Sequence, residues 1–252
     1  MRALFRYLLA LAALLALWHI GSLALGDFLL PRPLDVLRAF AHALGTADFW
    51  GHAGASAWRV LAAMSLAWLV AFPLGLSLGH MRMADAFLSP FVFLTYPLPK
   101  IVLLPLFLTL FGLGDLPRVL LIALTTGYQI LVVTRASAKG LDKKYLDSFR
   151  SLGGTPLQAL RHVLVPAALP DAMTALKVAS GTAVAVLFMA ESFATRRGLG
   201  FLIMDAWGRG DQLEMFTGIL AMSALGVGLY ELCDLLERKS CRWRALHRGG
   251  GR

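Results

Sequence analysis

Two ionisable side chains, Lys100 and Glu191, stand in stretches otherwise apolar enough for a membrane, and any chemistry the chain performs begins with them. Charge at membrane depth is costly, so such groups face a cavity or pair with a partner. Lys100 could attract an anionic solute, or it could reach an interface or pair with Glu191. Tyr96, Tyr128, Gln129 and Ser192 add hydrogen-bonding groups, although side chains of this kind are ordinarily satisfied inside a helix bundle. These six residues are the candidates for a translocation pathway. Phe188 and Met189 read as packing.

No catalytic set accompanies them. The six histidines are scattered and none belongs to an H-E-x-x-H pair; His19 and His80 have no evident partner. Ser180 and Ser192 lie in apolar runs without a nearby histidine, and Asp205 and Asp211 fall in a polar connection. Cys233 and Cys241 lack metal-ligand spacing. The phosphate-cradling pattern G-x-x-x-x-G-K-[ST] is absent, so the chain has no means of its own to hold ATP. The expectation is a protein that is not an enzyme, with no catalytic residue, metal or cofactor. If ATP powers its work, the ATPase is a separate chain.

The remaining concentration of polar groups is Leu141 to Pro170, LDKKYLDSFRSLGGTPLQALRHVLVPAALP. Lys143 to Leu152 predicts a short amphipathic helix with Tyr145, Phe149 and Leu152 on one stripe. Gly153-Gly154 stops it, because glycine accepts the left-handed conformation of a helix C-cap. Thr155 then N-caps a second short helix, with Pro156 at its first position and Gln158 completing a capping box. Pro166 and Pro170 limit its continuation. Two capped helices meeting at a fixed glycine corner suit a partner's cleft better than they suit a passive loop.

This stretch resembles the cytoplasmic coupling loop of ABC importer permeases, the membrane subunits of binding-protein-dependent transporters. The family pattern is E-A-A, three residues, G, nine residues, I-x-L-P; here Asp147-Ser148-Phe149, Gly153 and Val163-Leu164-Val165-Pro166 keep the acid, the glycine, the proline and every spacing. Asp replaces Glu, Ser-Phe replaces Ala-Ala, and Val replaces Ile and Leu. The runs PLPKIVLLPLFLTLFGLG (Pro97 to Gly114) and AESFATRRGLGFLI (Ala190 to Ile203) are similar to the nitrate/sulfonate/taurine branch, and the likeness covers about residues 30 to 240. It implies an all-α polytopic fold like that of the importer permease MetI. It also implies a dimer of permeases, docked on cytoplasmic ABC ATPase subunits and fed by an extracytoplasmic solute-binding protein. Tyr145, Asp147, Phe149, Arg150, Leu152, Gly153, Gly154, Thr155, Pro156, Leu157 and Pro166 would form the ATPase-coupling site. Tyr145, Phe149, Leu152 and Leu157 would supply the apolar plug, while Asp147 and Arg150 would contact the partner or brace the loop. PLPK then reads as a shared signature, which favours a structural or gating role for Lys100. The cargo class would be a small polar or anionic solute such as nitrate, a sulfonate, taurine or a pyrimidine-type vitamin precursor.

The elements that must hold these residues are membrane spans. Hydrophobic residues make up 58% of the chain, charged residues 15%, and mean hydropathy is +0.69, against about 25% charged in a soluble domain. Six spans are expected, near Leu4–Leu25, Ser56–Leu78, Ala84–Leu113, Leu116–Val133, Ala172–Ser192 and Leu213–Leu236. A basic start before the first run also describes a cleaved leader, but the run continues to Leu25 and a retained anchor is expected. Asp35 to Ala43 predicts an amphipathic interfacial helix. Gly75-x-x-x-Gly79 is a small-residue spacing that permits close helix approach. The third segment carries Pro90, Pro97, Pro99 and Pro105, so its helix must break, and broken backbone is tolerated only where protein or water meets it. It should therefore face the bundle interior or the pathway.

The net charge of +9 does not point to nucleic acid, because the basic residues gather beside the spans and at the end of the chain. With a cytoplasmic N-terminus, fifteen Lys and Arg fall on the inner side and six (Arg32, Arg38, Arg118, Arg196, Arg197 and Arg209) on the outer, once Arg59, Lys100 and Lys177 are set aside as lying inside or at the edge of spans. The positive-inside rule then places both termini and the Leu141–Pro170 loop in the cytoplasm of a bacterial inner membrane. Residues 1–54 read as an anchor and external interfacial segment, 55–238 as the permease core with a coupling loop at 137–170, and 239–252 as a basic cytoplasmic tail. A single-chain carrier or channel, or an intramembrane enzyme, is the competing class; neither explains a capped cytoplasmic elbow.

Overall fold

The computed structural model describes residues 2–243, so the end of the basic tail, 244–252, lies outside the described residues. Among the described residues every regular element is helical. Helices α1 (Arg2–Leu25), α2 (Pro33–Ala43), α3 (Ala47–His80), α4 (Arg82–Thr95), α5 (Leu104–Phe111) and α6 (Asp115–Lys139) lead to α7 (Lys143–Ser151) and α8 (Pro156–Ala159). Then follow α9 (Val165–Glu191), α10 (Leu199–Arg209) and α11 (Gln212–Ser240). Four helices are long and apolar enough to cross a membrane: Ala47–His80, Asp115–Lys139, Pro156–Glu191 and Gln212–Ser240. The expected third span is a pair of helices, Arg82–Thr95 and Lys100–Phe111, bent by 88°. The expected first span is α1, whose Leu9–Leu25 portion forms a shorter apolar helix.

The four prolines of the third segment have separate fates. Pro97 and Pro99, which donate no backbone hydrogen bond, occupy the break, and a 3-10 turn at Lys100–Leu103 follows it. Pro105 fits the first turn of α5, where its missing N–H costs nothing, and Pro90 stays inside α4. The chain itself leaves most of this segment, expected to face the bundle interior or the pathway, uncovered. Phe87, Phe91, Leu94, Val102, Leu106 and Leu110 are all exposed, and only Ser89 in α4 and Leu104 in α5 are buried.

The expectation that Pro166 and Pro170 limit the second helix of the loop is corrected. Residues Pro156–Glu191 form one run of 36 residues. A π turn at Leu160–Leu164, in which Val165 N–H donates to Leu160 O, sits immediately before Pro166. The wider turn takes in one more residue than an α turn, so the chain can pass the proline without ending the helix. The loop is therefore one short helix joined to the start of a long one.

The described helices fall into two compact units, Met1–Ala57 with Glu191–Ala224, and Trp58–Ala190 with Leu225–Arg252. In the first, Pro33 opens α2, as its fixed φ permits, and α2 buries Val36. Trp18 Nε1 donates to Pro31 O at 3.0 Å, and its ring packs 5.9 Å from that of Phe216. In the second, α3 and α6 meet at glycines. A β-carbon on Gly75 would lie 2.7 Å from Thr134 Cβ and 2.9 Å from Leu131 O; one on Gly79 would lie 2.5 Å from Ala138 Cβ and 2.8 Å from Arg135 O. The small-residue spacing is thus a packing seam. Gly79→Ala forces backbone apart and is expected to cost about 1–3 kcal/mol. Gly228→Ala, which meets nothing within 4 Å, should be neutral or stabilising through helix propensity. Melting temperatures of the two purified variants, lowered for Gly79→Ala and unchanged or raised for Gly228→Ala, check the seam.

Candidate functional site

The loop is built by local rules. Asp142 N-caps α7: its carboxylate accepts from Lys144 N at 3.0 Å and pairs with Lys144 Nζ at 2.8 Å. These bonds hold its carboxyl below the ordinary carboxylate range. The cap is therefore complete above the unfolded pKa and is lost as pH falls through the lowered one. At the other end Gly153 takes φ +84°, and the Gly153 and Gly154 amides donate back to Arg150 O and Phe149 O. The half-buried Phe149 ring lies where a Gly154 side chain would be. Thr155 Oγ1 accepts from Gln158 N while Gln158 Oε1 accepts from Thr155 N at 2.9 Å, the reciprocal capping box. Pro156 follows at the first helical position.

This geometry gives the elbow two faces. Tyr145, Leu152 and Leu157 are 55%, 88% and 74% exposed, an apolar surface with no cover from the chain itself among the described residues. Lys143, Leu146, Asp147 and Arg150, spaced along the opposite stripe of α7, line a cavity of about 630 Å³ with the ends of α3, α4 and α6. Asp147 and Arg150 therefore sit on the cavity side of α7 and not beside Tyr145. Behind them Asp85 accepts from Ser89 Oγ, from Arg135 Nε at 2.6 Å and from Lys139 Nζ at 2.8 Å, which ties α4 to α6 at the root of the loop.

The pathway candidates divide three ways. Tyr96 and Gln129 line a second cavity of about 560 Å³, with Ser137, Asp171, Thr174 and Thr182. There Gln129 Nε2 donates to Thr182 Oγ1 at 3.1 Å and Ser137 Oγ to Asp171 Oδ2 at 2.7 Å. Lys100 and Tyr128 serve the 88° break. Lys100 Nζ donates to Thr95 O at 2.9 Å and Tyr96 O at 2.5 Å, and lies 4.3 Å from the Tyr128 ring centre. The Tyr128 hydroxyl meets Thr95 Oγ1 at 2.7 Å. The ammonium thus adds a donor at the carbonyl end of α4, beside the Leu98 N–H that donates to Thr95 O at 3.2 Å. Glu191 and Ser192 belong to the first unit, where Glu191 is fully buried. Both its carboxylate oxygens accept from Ser56 Oγ, at 2.9 and 2.8 Å, and Oε2 also accepts from Gly200 N at 2.9 Å. Leu199 N donates to Ser56 Oγ at 2.7 Å. Lys100 and Glu191 each have partners within their own unit.

The model of the family described as binding-protein-dependent transport system inner membrane component matches residues 71–240. The chain belongs to that family. This inner membrane component is 28% identical over 244 residues to the putative aliphatic sulfonates transport permease protein SsuC of Bacillus subtilis, covering 96% of this chain and 88% of the relative. It is 31% identical to the taurine transport system permease protein TauC of Escherichia coli, covering 92% and 87%. A solved structure of inward-facing conformations of the MetNI methionine ABC transporter matches with a TM-score of 0.65 at 19% identity, covering 75% of this chain and 94% of that one. That likeness is one of fold.

Two groups in this inner membrane component escape a reading of the sequence. Arg118 counts as an outer loop charge, yet it is 1% exposed and donates to Leu113 O, Gly114 O and Ala190 O at 2.8, 2.6 and 3.2 Å. Arg59, also buried, pairs with Asp115 at 2.7 Å. Arg118 lies three residues from the start of α6 and Arg59 inside the apolar helix α3, and for Arg59 the available signal is a cation with no acid nearby in sequence.

Proposed function

We propose that this chain is the membrane-spanning permease subunit of an ATP-driven ABC importer, carrying a small polar or anionic solute delivered by a solute-binding protein. The elbow at Gly153 carries the reading: a doubly capped corner presents the apolar side chains of Tyr145, Leu152 and Leu157 on a chain of the binding-protein-dependent transport family. An amphipathic helix of this kind fills a groove on a partner, here a cytoplasmic ABC ATPase subunit. Closure of two ATPases on ATP tilts the elbow, and the helices follow as one of two discrete states. The sulfonate and taurine permeases among its relatives favour nitrate, a sulfonate, taurine or a similar solute as cargo.

A second permease copy is part of the proposal. The bent pair α4 and α5 leaves broken backbone and a row of exposed apolar side chains, which at membrane depth need a protein partner or a water-filled path beside them. The charge distribution orients the chain as a multi-pass inner-membrane protein with both termini and the elbow in the cytoplasm. Residues 1–54 then act as an anchor and external segment, 55–238 as the core and 239–252 as a cytoplasmic tail.

The test is co-purification of the tagged chain from mild detergent beside a control importer of the same family. A P-loop ATPase in defined ratio with the chain, hydrolysing ATP faster when the cognate binding protein is added, is the expected result. Recovery of the chain without an ATPase, under conditions that keep the control intact, would move it to the carriers.

A further inference from the structure

We propose that the cavity of about 630 Å³ at the root of the elbow is a binding site for a phosphate-bearing anion. Its lining holds the cations Arg82, Lys139, Lys143 and Arg150, together with His80, against the acids Asp85 and Asp147. Asp85 is already engaged by Arg135, Lys139 and Ser89. Arg82, Lys143 and Arg150 make no ion pair among the described residues, so three uncommitted cations share the cavity with the one remaining acid, Asp147. The first turn of α4 opens on the same space through Arg82, Asp85 and Ala86. Its N-cap, Met81, supplies no side-chain hydrogen bond, so the leading amides of that helix have no side-chain acceptor there.

Amides at a helix start and guanidinium forks converging on one space are the donors that phosphate oxygens take. Three cations on two helices, Arg82 of α4 and Lys143 and Arg150 of α7, suit a tetrahedral group carrying several oxygens. With the orientation proposed above, the cavity lies at the level of the inner-leaflet headgroups, where basic pockets between spans hold anionic lipid. The phosphate then comes from an anionic phospholipid headgroup or from free phosphate. Either would pin α7 to the ends of α3, α4 and α6 from the side opposite the exposed apolar face.

The experiment compares the full-length protein, purified with whatever subunits accompany it, with Arg82→Gln/Lys143→Gln. Lys239→Gln/Arg242→Gln serves as a control of equal charge loss elsewhere. Both sites in the first variant are exposed and unpaired, so the fold should survive; the melting temperature without added anion checks this. Two readouts are taken: phospholipid retained after delipidation, by mass spectrometry, and the melting-temperature rise on adding inorganic phosphate. Loss of most retained phosphatidylglycerol from the first variant alone is expected and identifies the headgroup as source. Unchanged lipid, with a phosphate-induced rise that disappears only in the first variant, identifies free phosphate. If the first variant and the control match the wild type in both readouts, or lose equally, the site does not exist.

Discussion

A Gly153→Leu chain is expected to reach the membrane in normal amounts and to import at least ~10-fold less solute, a loss equivalent to about 1.4 kcal/mol or more. Gly153 sits at φ +84°, where a side chain other than glycine costs roughly 1–2 kcal/mol, and more when bulky. The residue can escape only by abandoning that conformation. The Gly153 and Gly154 amides then lose Arg150 O and Phe149 O, and the angle between α7 and α8 is no longer fixed. The spans themselves do not depend on it, since a β-carbon at Gly153 meets nothing within 4 Å. Strain in the backbone and not collision is therefore what the variant tests. Gly153→Asn separates the two, because asparagine visits the left-handed region at little cost and should keep most uptake. Uptake in cells, normalised to membrane-inserted protein, is the measurement. Wild-type uptake by the leucine variant would remove the glycine corner from coupling.

The largest loss of stability should follow Glu191→Ala. That carboxylate is fully buried and receives Ser56 Oγ and Gly200 N. Each buried donor left without an acceptor costs about 1–3 kcal/mol. Glu191→Gln keeps one acceptor oxygen and should lose less. Gly198→Ala reaches the same group from the other side: its φ is +130°, and its β-carbon would fall 2.5 and 2.6 Å from the two carboxylate oxygens. All three variants are expected to melt below wild type, with the alanine at 191 lowest. A Glu191→Ala protein that purifies with an unchanged melting temperature would show that the carboxylate is not the anchor of this corner.

Much of the elbow was legible because its rules are local. A cap, a glycine at positive φ and a T-x-x-Q box are decided within four residues, so α7 begins at Lys143 and Thr155 caps α8 as the sequence predicts. The break after α4 was legible for the same reason, since prolines at 97 and 99 have no backbone donor. What was not legible depends on distant partners. Asp147 and Arg150 lie on the stripe of α7 that faces α3, α4 and α6, and no local pattern says which stripe faces inward. Arg118 looks like a loop charge until the carbonyls of Leu113, Gly114 and Ala190 gather around it. Pro166 looks like a stop until the π turn before it makes room.

The unbroken run Pro156–Glu191 has a mechanical meaning. At 1.5 Å per residue its 36 residues make a lever ~54 Å long with the elbow as its handle. A tilt of ~10° about one end of such a rod sweeps the other through ~9 Å, more than the width of a small oxyanion. With the elbow as the coupling site proposed above, a slight rotation of the handle would be enough to move the far end of the helix by that distance.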